Sequence, residues 1–555
     1  MSRRESFERI LKQRSTRRSA VGTGLLAGLG GVVGLSLPGS PTRSYARQGT
    51  PELVATPSDP PLTRRASATF GAYPFQLGVA SGDPDDHSVV LWTRLAPSPI
   101  DGGGMDPVPY ELAWEVASDD SFSSIVQNGT AVADPNLAHS VHVDVTGLDA
   151  ATEYFYRFMV GDEVSDTGRT KTAPAQGEAS ELIRLGFVSC SNYEHGYFAG
   201  YRDLATRDLD LVLHLGDYIY EYAANDYNVR EPENFRQVPD GETYALRDYR
   251  NRYAIYHTDP DLRMVRASAP MSVTWDDHEV DNNYANLVSE ENDPLEAFRQ
   301  RRADAYQAYY EHMPLRASSL PVGEDMTLYR SLDYGDLLNI QILDTRQYRT
   351  DHPAGDGEYP RSPASTDPAT SLLGAPQERW LLQNLERSEA RWNVLAQQVT
   401  MAETYFPPSD GGAIEFYNDS WSGYPAARQR LLDHFVSAQV SNPVVLTGDI
   451  HSSWAADLLT DFLDPESPIV GSEYVCTSIT AGGTAVDTWG QAYKDAFEYI
   501  KLYDGRHGGF TTVDVTNDLW KADYFVVDNM EDPESGVSHL TTLVTENGEP
   551  GVQPS

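Results

Sequence analysis

The chain has 555 residues, too many for one ordinary domain, so two or three domains with separate cores are expected. It carries 82 acidic against 42 basic residues, a formal charge of -40, and arginine far outnumbers lysine. Such a surface repels phosphate backbones and argues against specific nucleic-acid binding. The acidic, lysine-poor excess reads as adaptation to high salt, where screening relieves self-repulsion; the plainer alternative is an ordinary exported protein.

Residues 1–46 read as an export signal. A basic start and Arg17-Arg18 precede the mildly apolar stretch SAVGTGLLAGLGGVVGLSL and a small-residue cleavage site around Ser44-Tyr45-Ala46. The paired arginines point to the twin-arginine export machinery, and so to a secreted, cell-surface or periplasmic protein. A generic secretory signal is the alternative. The apolar run is short and glycine-rich for a permanent anchor, and no later segment reads as a membrane span.

Residues 47–69, rich in Pro, Ser and Thr, read as a linker. Residues 70–177 hold evenly spaced alternating strands, among them SVVLWTRL, YELAWEVA, SVHVDVTGL and EYFYRFMV, the pattern of a small all-β sandwich. The stretch TGLDAATEYFYR resembles the corner of fibronectin-type sandwiches, where a tyrosine closes the strand turn. Residues 182–530 change character. LIRLGFVSC, LDLVLHLGD, SAPMSVTWDD, LLNIQILDT, RWNVLAQQV and NPVVLTGDI each run apolar and stop at polar residues, with helical segments between them at Pro294–Tyr310 and PQERWLLQNLERS. That is an α/β layer pattern around buried sheet. Residues 531–555 read as a loosely ordered acidic tail.

Four of these strand ends carry side chains suited to metal chemistry: Cys190 in FVSCSN, Asp217 and Tyr220 in HLGDYIY, Asp276, Asp277 and His278 in TWDDHEVDNNY, and Asp449 and His451 in LTGDIHSSW. Ligands of α/β sheets gather where strands end. Thiolate, phenolate and imidazole suit a trivalent or softer transition ion, whereas carboxylates suit a hard ion such as calcium. Each residue alone has a plain reading: Cys190 as a small buried hydrophobe, Asp217 as a turn residue, Tyr220 as a packed ring. Convergence from four strands favours the binuclear site. Of the two cysteines, Cys190 and Cys476, a single bridge would matter little to a chain this long.

Together with GVASGDP, LDTRQYR and DSWSGYPAARQRLL, these motifs resemble the alkaline phosphatase D (PhoD) family, within the calcineurin-like metallophosphoesterases, from about Phe70 to Met530. The resemblance implies a four-layer metallophosphoesterase sandwich of sheets flanked by helices. It also implies a phosphoric ester hydrolase using iron(III), Fe3+, and calcium, Ca2+. Carried over, Cys190, Asp217, Tyr220 and His451 would hold iron. Asp217 would bridge, and Asp277 and Asp449 would complete the calcium side, with Asp276 and Asn283 as further candidates. The usual superfamily Asp-x-His start is absent, and Cys190 would take its role. Metal-activated hydroxide would attack phosphorus. Arg346 is expected to neutralise phosphoryl oxygens, unless it is a structural partner of Asp344 or another acid. His278 is expected to protonate the leaving oxygen, unless it orients a metal-bound carboxylate. Substrates would be small phosphate esters, with phospholipid or nucleotide-derived diesters possible. A phospholipase D-like enzyme and a non-catalytic surface-binding protein are the competing readings.

Overall fold

Six apolar runs that end at polar residues build the centre of two facing sheets. The computed structural model describes residues 70–555 apart from 230–233, 240, 407–412, 465 and 483–488; the expected export signal and linker lie outside the described residues. In the first seven-stranded sheet, Met271–Thr274, Leu211–Leu215 and Ile183–Val188 run parallel. Gly509–Val515, Leu519–Val527, Val537–Glu546 and Glu549–Pro554 extend it antiparallel. The second sheet is ordered Arg330–Tyr334, Leu338–Ile342, Trp392–Ala396, Pro443–Thr447, Ile469–Val475, Ser453–Leu459 and Ile500–Asp504.

Three apolar layers hold this together. Leu185, Leu213, Ile340, Val394, Leu446 and Trp520 interdigitate between the sheets. Val212 and Val273 pack outward on Leu246–His257, Pro260–Ser268 and Leu295–His312. Leu395 and Val445 pack outward on Gly374–Arg387 and Pro425–Ser437. Strands buried on both faces are rich in apolar residues, with a few buried polar ones such as His214, Asn339 and Gln341. The result is the expected helix–sheet–sheet–helix order.

The smaller β domain also forms, with a three-stranded sheet and a five-stranded sheet around a core that includes Phe75, Val89, Leu112, Val143 and Phe158. Its tyrosine corner is present: the Tyr154 hydroxyl accepts the Asp149 N–H at 3.0 Å. This domain is sealed to the larger one by buried polar contacts, including Trp92 Nε1 donating to the Glu311 carbonyl at 3.0 Å.

The C-terminus corrects the sequence reading. Residues 531–555 are not a loose tail, because they supply the last two strands of the first sheet. Leu543 and Val552 enter the inter-sheet core, and the Val552 N–H donates to Asp457 at 2.7 Å. The two strands turn at Asn547-Gly548, with Gly548 at φ +82°, an Asn-Gly hairpin signal masked by the surrounding acidic residues. Both cysteines are free and buried. No helix among the described residues is long and apolar enough to cross a membrane.

Candidate metal centre and active site

The four strand ends meet at one edge of the sheets. Two Gly-Asp pairs make the approach possible. A Cβ on Gly216 would lie 2.5 Å from the Asp276 Cβ, and one on Gly448 would lie 2.6 Å from the Ser189 Cβ. Only glycine lets each strand end press against its neighbour. The next residues then turn sharply. Cys190, Asp217, Asp449 and His451 all sit at positive φ, between 53° and 61°. Such backbone is unfavourable for non-glycine residues and persists where the surroundings impose it, typically at functional sites.

Candidate ligand atoms gather accordingly. Those of Cys190, Asp217 and His451 lie within 4.8 Å of one another; so do those of Asp217, Asp277 and His278, and those of Asp276, Asp277 and Asp449. Asp217 thus belongs to two neighbouring groups. Its Oδ2 accepts the Tyr220 hydroxyl at 2.9 Å, and that hydroxyl lies 3.1 Å from His451 Nε2. Every sequence-predicted ligand is therefore in one place, and Asp276 joins the Asp277–Asp449 side. The Asn283 side-chain amide instead donates to Asp356 at 2.9 Å.

Electrostatics and hydrogen bonding both favour cations here. Burial, reinforced by Asp277, Asp276 and Glu279, pushes Asp217 well above the usual carboxylate range against the pull of His278. Burial and the carboxylates of Asp276, Asp419 and Asp277 do the same to Asp449. Burial also raises the Cys190 thiol and the Tyr220 phenol, each with Asp217 adding to it. Asp217 Oδ1 and Asp276 Oδ2 are buried without a hydrogen-bond donor, whereas Asp277 Oδ1 has Arg346 Nη2 at 3.5 Å. Buried anions of this kind are costly unless paired with positive charge, and metal ions satisfy them. Two residues without an assigned role in the sequence reading shape the cluster. Glu279 is buried and accepts the N–H groups of Asp217, Tyr218 and Asp276, tying two ligand loops together. Glu221 accepts from His278 Nδ1 at 2.8 Å. Burial alone would lower the His278 pKa, but Glu221, Asp277 and Asp217 outweigh it and hold the ring well above its ordinary value.

Arg346 departs from expectation. It does not face an open anion site. Its Nε binds Asp276, and its two terminal nitrogens bind Asp419 at 2.8 and 2.9 Å. Arg349 Nη1 and His352 Nε2 also reach Asp419, at 2.5 and 2.7 Å. A fully buried guanidinium already forked onto carboxylates is a positioning group for Asp276, not a free clamp for phosphate. The fork that suits phosphate suits carboxylate equally, so sequence could not distinguish the two.

Residues 185–524 match the family described as PhoD-like phosphatase, and residues 62–174 match the PhoD-like phosphatase, N-terminal domain. The chain is 46% identical over 531 residues to alkaline phosphatase D of Bacillus subtilis (strain 168), covering 95% of this chain and 88% of that protein. A solved structure described as "Structure of PhoD" superposes with a TM-score of 0.85 at 48% identity, covering 88% of this chain and 93% of that one.

Proposed function

Since the chain belongs to the PhoD-like phosphatase family, we propose that its acidic cluster is the Fe3+/Ca2+ centre of an exported enzyme. The chain is a phosphoric ester hydrolase, and phosphate esters are its substrates. The observation that carries the metal reading is the pair of buried carboxylate oxygens without donors, on Asp217 and Asp276. Cys190, Tyr220 and His451 would hold the iron side, Asp277 and Asp449 the calcium side with Asp276 beside them, and Asp217 would serve both. The donor sets fit: soft and phenolic atoms lie on one side, and hard carboxylates on the other. Bound cations would supply charge that makes a water acidic and screens phosphoryl oxygens.

The chain's own residues do the rest. Glu279 fixes the turns that aim Asp217 and Asp276. Arg346, itself held by Asp419, restrains one oxygen of Asp276 and leaves the other to the cluster. His278, oriented by Glu221, would give a proton to the departing ester oxygen. The twin-arginine route would deliver the folded, loaded protein outside the cytoplasm. The test is metal analysis of the purified protein, then turnover of a nitrophenyl monoester, its bis-ester and a phospholipid before and after chelation. Iron and calcium in the protein, with activity lost on chelation and restored by both ions, is expected. Full turnover by metal-free protein would reject the centre.

A further inference from the structure

Two buried side chains behind the acidic cluster have no part in the proposed chemistry, yet they lead to one of its ligand atoms. Ser189 follows the strand Ile183–Val188 and precedes Cys190; Cys476 follows the strand Ile469–Val475. Both are wholly buried. The Cys190 thiol donates to Ser189 Oγ at 3.2 Å, and Ser189 Oγ lies 3.5 Å from Cys476 Sγ. Cys476 Sγ also reaches the Thr447 carbonyl, at 3.5 Å. The row Cys476–Ser189–Cys190 thus runs from the inter-sheet core to the small apolar group of Cys190, Tyr220 and Ala481.

The serine is held on both sides. Its carbonyl accepts the Ile479 N–H at 3.0 Å, and a Cβ on Gly448 would lie 2.6 Å from Ser189 Oγ as well as from its Cβ. Gly448 therefore leaves room for the hydroxyl. Among the described residues both partners of that hydroxyl are sulfur, and it is the one hydrogen-bond partner of the Cys190 sulfur. A neutral thiol bonds a hydroxyl weakly, whereas a thiolate makes a charge-assisted bond. The arrangement therefore gains most when Cys190 is anionic. A hydroxyl can accept from the thiol or, by rotating, donate to the thiolate, so the bond survives either state. Burial pushes the Cys476 thiol up to about 12, so it keeps its hydrogen and stays a donor. With an anionic Cys190 the hydrogens then run one way: Cys476 Sγ donates to Ser189 Oγ, and Ser189 Oγ donates to Cys190 Sγ.

We infer that Ser189, backed by Cys476, is a positioning residue that donates a hydrogen bond to the Cys190 thiolate and so tunes the iron bound there. The inference rests on Cys190 being a ligand of the proposed iron side. Hydrogen bonds to a ligand sulfur withdraw charge from it and set the potential of the metal. Here the sulfur otherwise packs among Tyr220 and Ala481, so a single hydrogen bond carries the effect. Iron(III) draws on sulfur charge more than iron(II) does. Removing the hydroxyl hydrogen leaves that charge on the sulfur, which favours iron(III) and lowers the potential. It also raises the energy of the sulfur lone pair, which moves the sulfur-to-iron absorption to longer wavelength.

The test compares Ser189→Ala, Cys476→Ala and Cys476→Ser with the unaltered, iron-loaded protein. Metal content, the midpoint potential of the iron and the visible spectrum are measured. Partners of a ligand atom change metal affinity by about tenfold or more. Ser189→Ala should raise the preference for iron(III) over iron(II) about tenfold, which lowers the potential by about 59 mV, and should move the sulfur band to longer wavelength. Cys476→Ala removes only the supporting donor and should change both in the same direction by less. Cys476→Ser keeps a donor and should return both to the parent values. Iron bound normally in Ser189→Ala with an unaltered potential and band would overturn the role of the hydroxyl and leave the metal centre standing. A parent that takes up no iron would reject the centre, and this role with it. Should Ser189→Ala fail to fold, the paired Cys476 variants decide: equal potentials in Cys476→Ala and Cys476→Ser would overturn the relay.

Discussion

Glu221 and His278 form a buried pair, with His278 Nδ1 2.8 Å from one carboxylate oxygen and the Asn282 N–H 3.0 Å from the other. The second bond fixes the carboxylate, and the carboxylate fixes the ring. Glu221→Gln keeps the shape and removes the charge. It is expected to lower kcat about tenfold to a hundredfold. His278→Asn is expected to lower it further, by about a hundredfold or more. Both losses should be greater on ethyl phosphate than on p-nitrophenyl phosphate, whose leaving oxygen needs no proton. Equal losses on both esters would show that His278 orients a carboxylate and does not donate a proton.

Asp419 is the hub of a second buried network, receiving Arg346, Arg349 and His352. Burial alone would raise its pKa, but the two guanidiniums, with His352, hold it well below the usual carboxylate range. A carboxyl whose folded pKa is depressed contributes stability that is complete above its unfolded pKa, about 4, and is lost as pH falls through the folded value. Asp419→Asn leaves two buried guanidiniums without their anion and is expected to cost about 3–5 kcal/mol at neutral pH. Denaturant titrations at pH 7 and pH 3 should show the gap between variant and parent narrowing in acid. Arg346→Ala, by the same logic, should lower the melting temperature and calcium affinity; a change in KM alone would restore the phosphate-clamp role.

Much of this site was legible because its signals are local. A strand that ends in Gly-Asp declares both the close approach of the backbone and the carboxylate it delivers, and this occurs twice, at Gly216-Asp217 and Gly448-Asp449. The six central strands were readable because burial on both faces makes them mostly apolar up to a polar end. What escaped depends on partners far away in sequence. Nothing near Arg346 indicates that Asp419, 73 residues on, will occupy its fork. The C-terminal hairpin escaped because charge dominates its composition while only a few side chains, such as Leu543 and Val552, reach the core.

The charge of -40 makes a separate prediction about salt. At low ionic strength the surface carboxylates repel one another, and screening shortens that repulsion to about 3 Å at molar salt. The melting temperature is expected to rise from dilute buffer to molar sodium chloride. An unchanged or falling value would leave the protein an ordinary acidic exported enzyme.

The export reading is tested in cells. Arg17-Arg18→Lys-Lys is expected to abolish secretion, and the mature chain is expected to begin near Arg47. Normal secretion of the variant would exclude the twin-arginine route, and Met1 on the secreted protein would exclude cleavage.

Tyr220 and Asp217 bear most directly on the metal centre. The turn after Asp217 brings the Tyr220 hydroxyl to 2.9 Å from Asp217 and 3.1 Å from His451, so one phenol oxygen faces both a shared carboxylate and an imidazole. Burial and Asp217 raise the phenol's pKa, so the proton is lost only to a strong cation. A phenolate on iron(III) absorbs visible light, and the purified protein should be coloured. Tyr220→Phe keeps the packing on His278 and removes only the oxygen. It should bleach or shift the band and lower activity, with little change in melting temperature. Asp217→Asn should be worse, because it removes the negative charge of a carboxylate shared by two ligand groups. Its expected signature is loss of bound iron and calcium together. A colourless parent with near-normal turnover in Tyr220→Phe would make Tyr220 a packed ring in a turn, and would move the iron, if present, to ligands other than those assigned here.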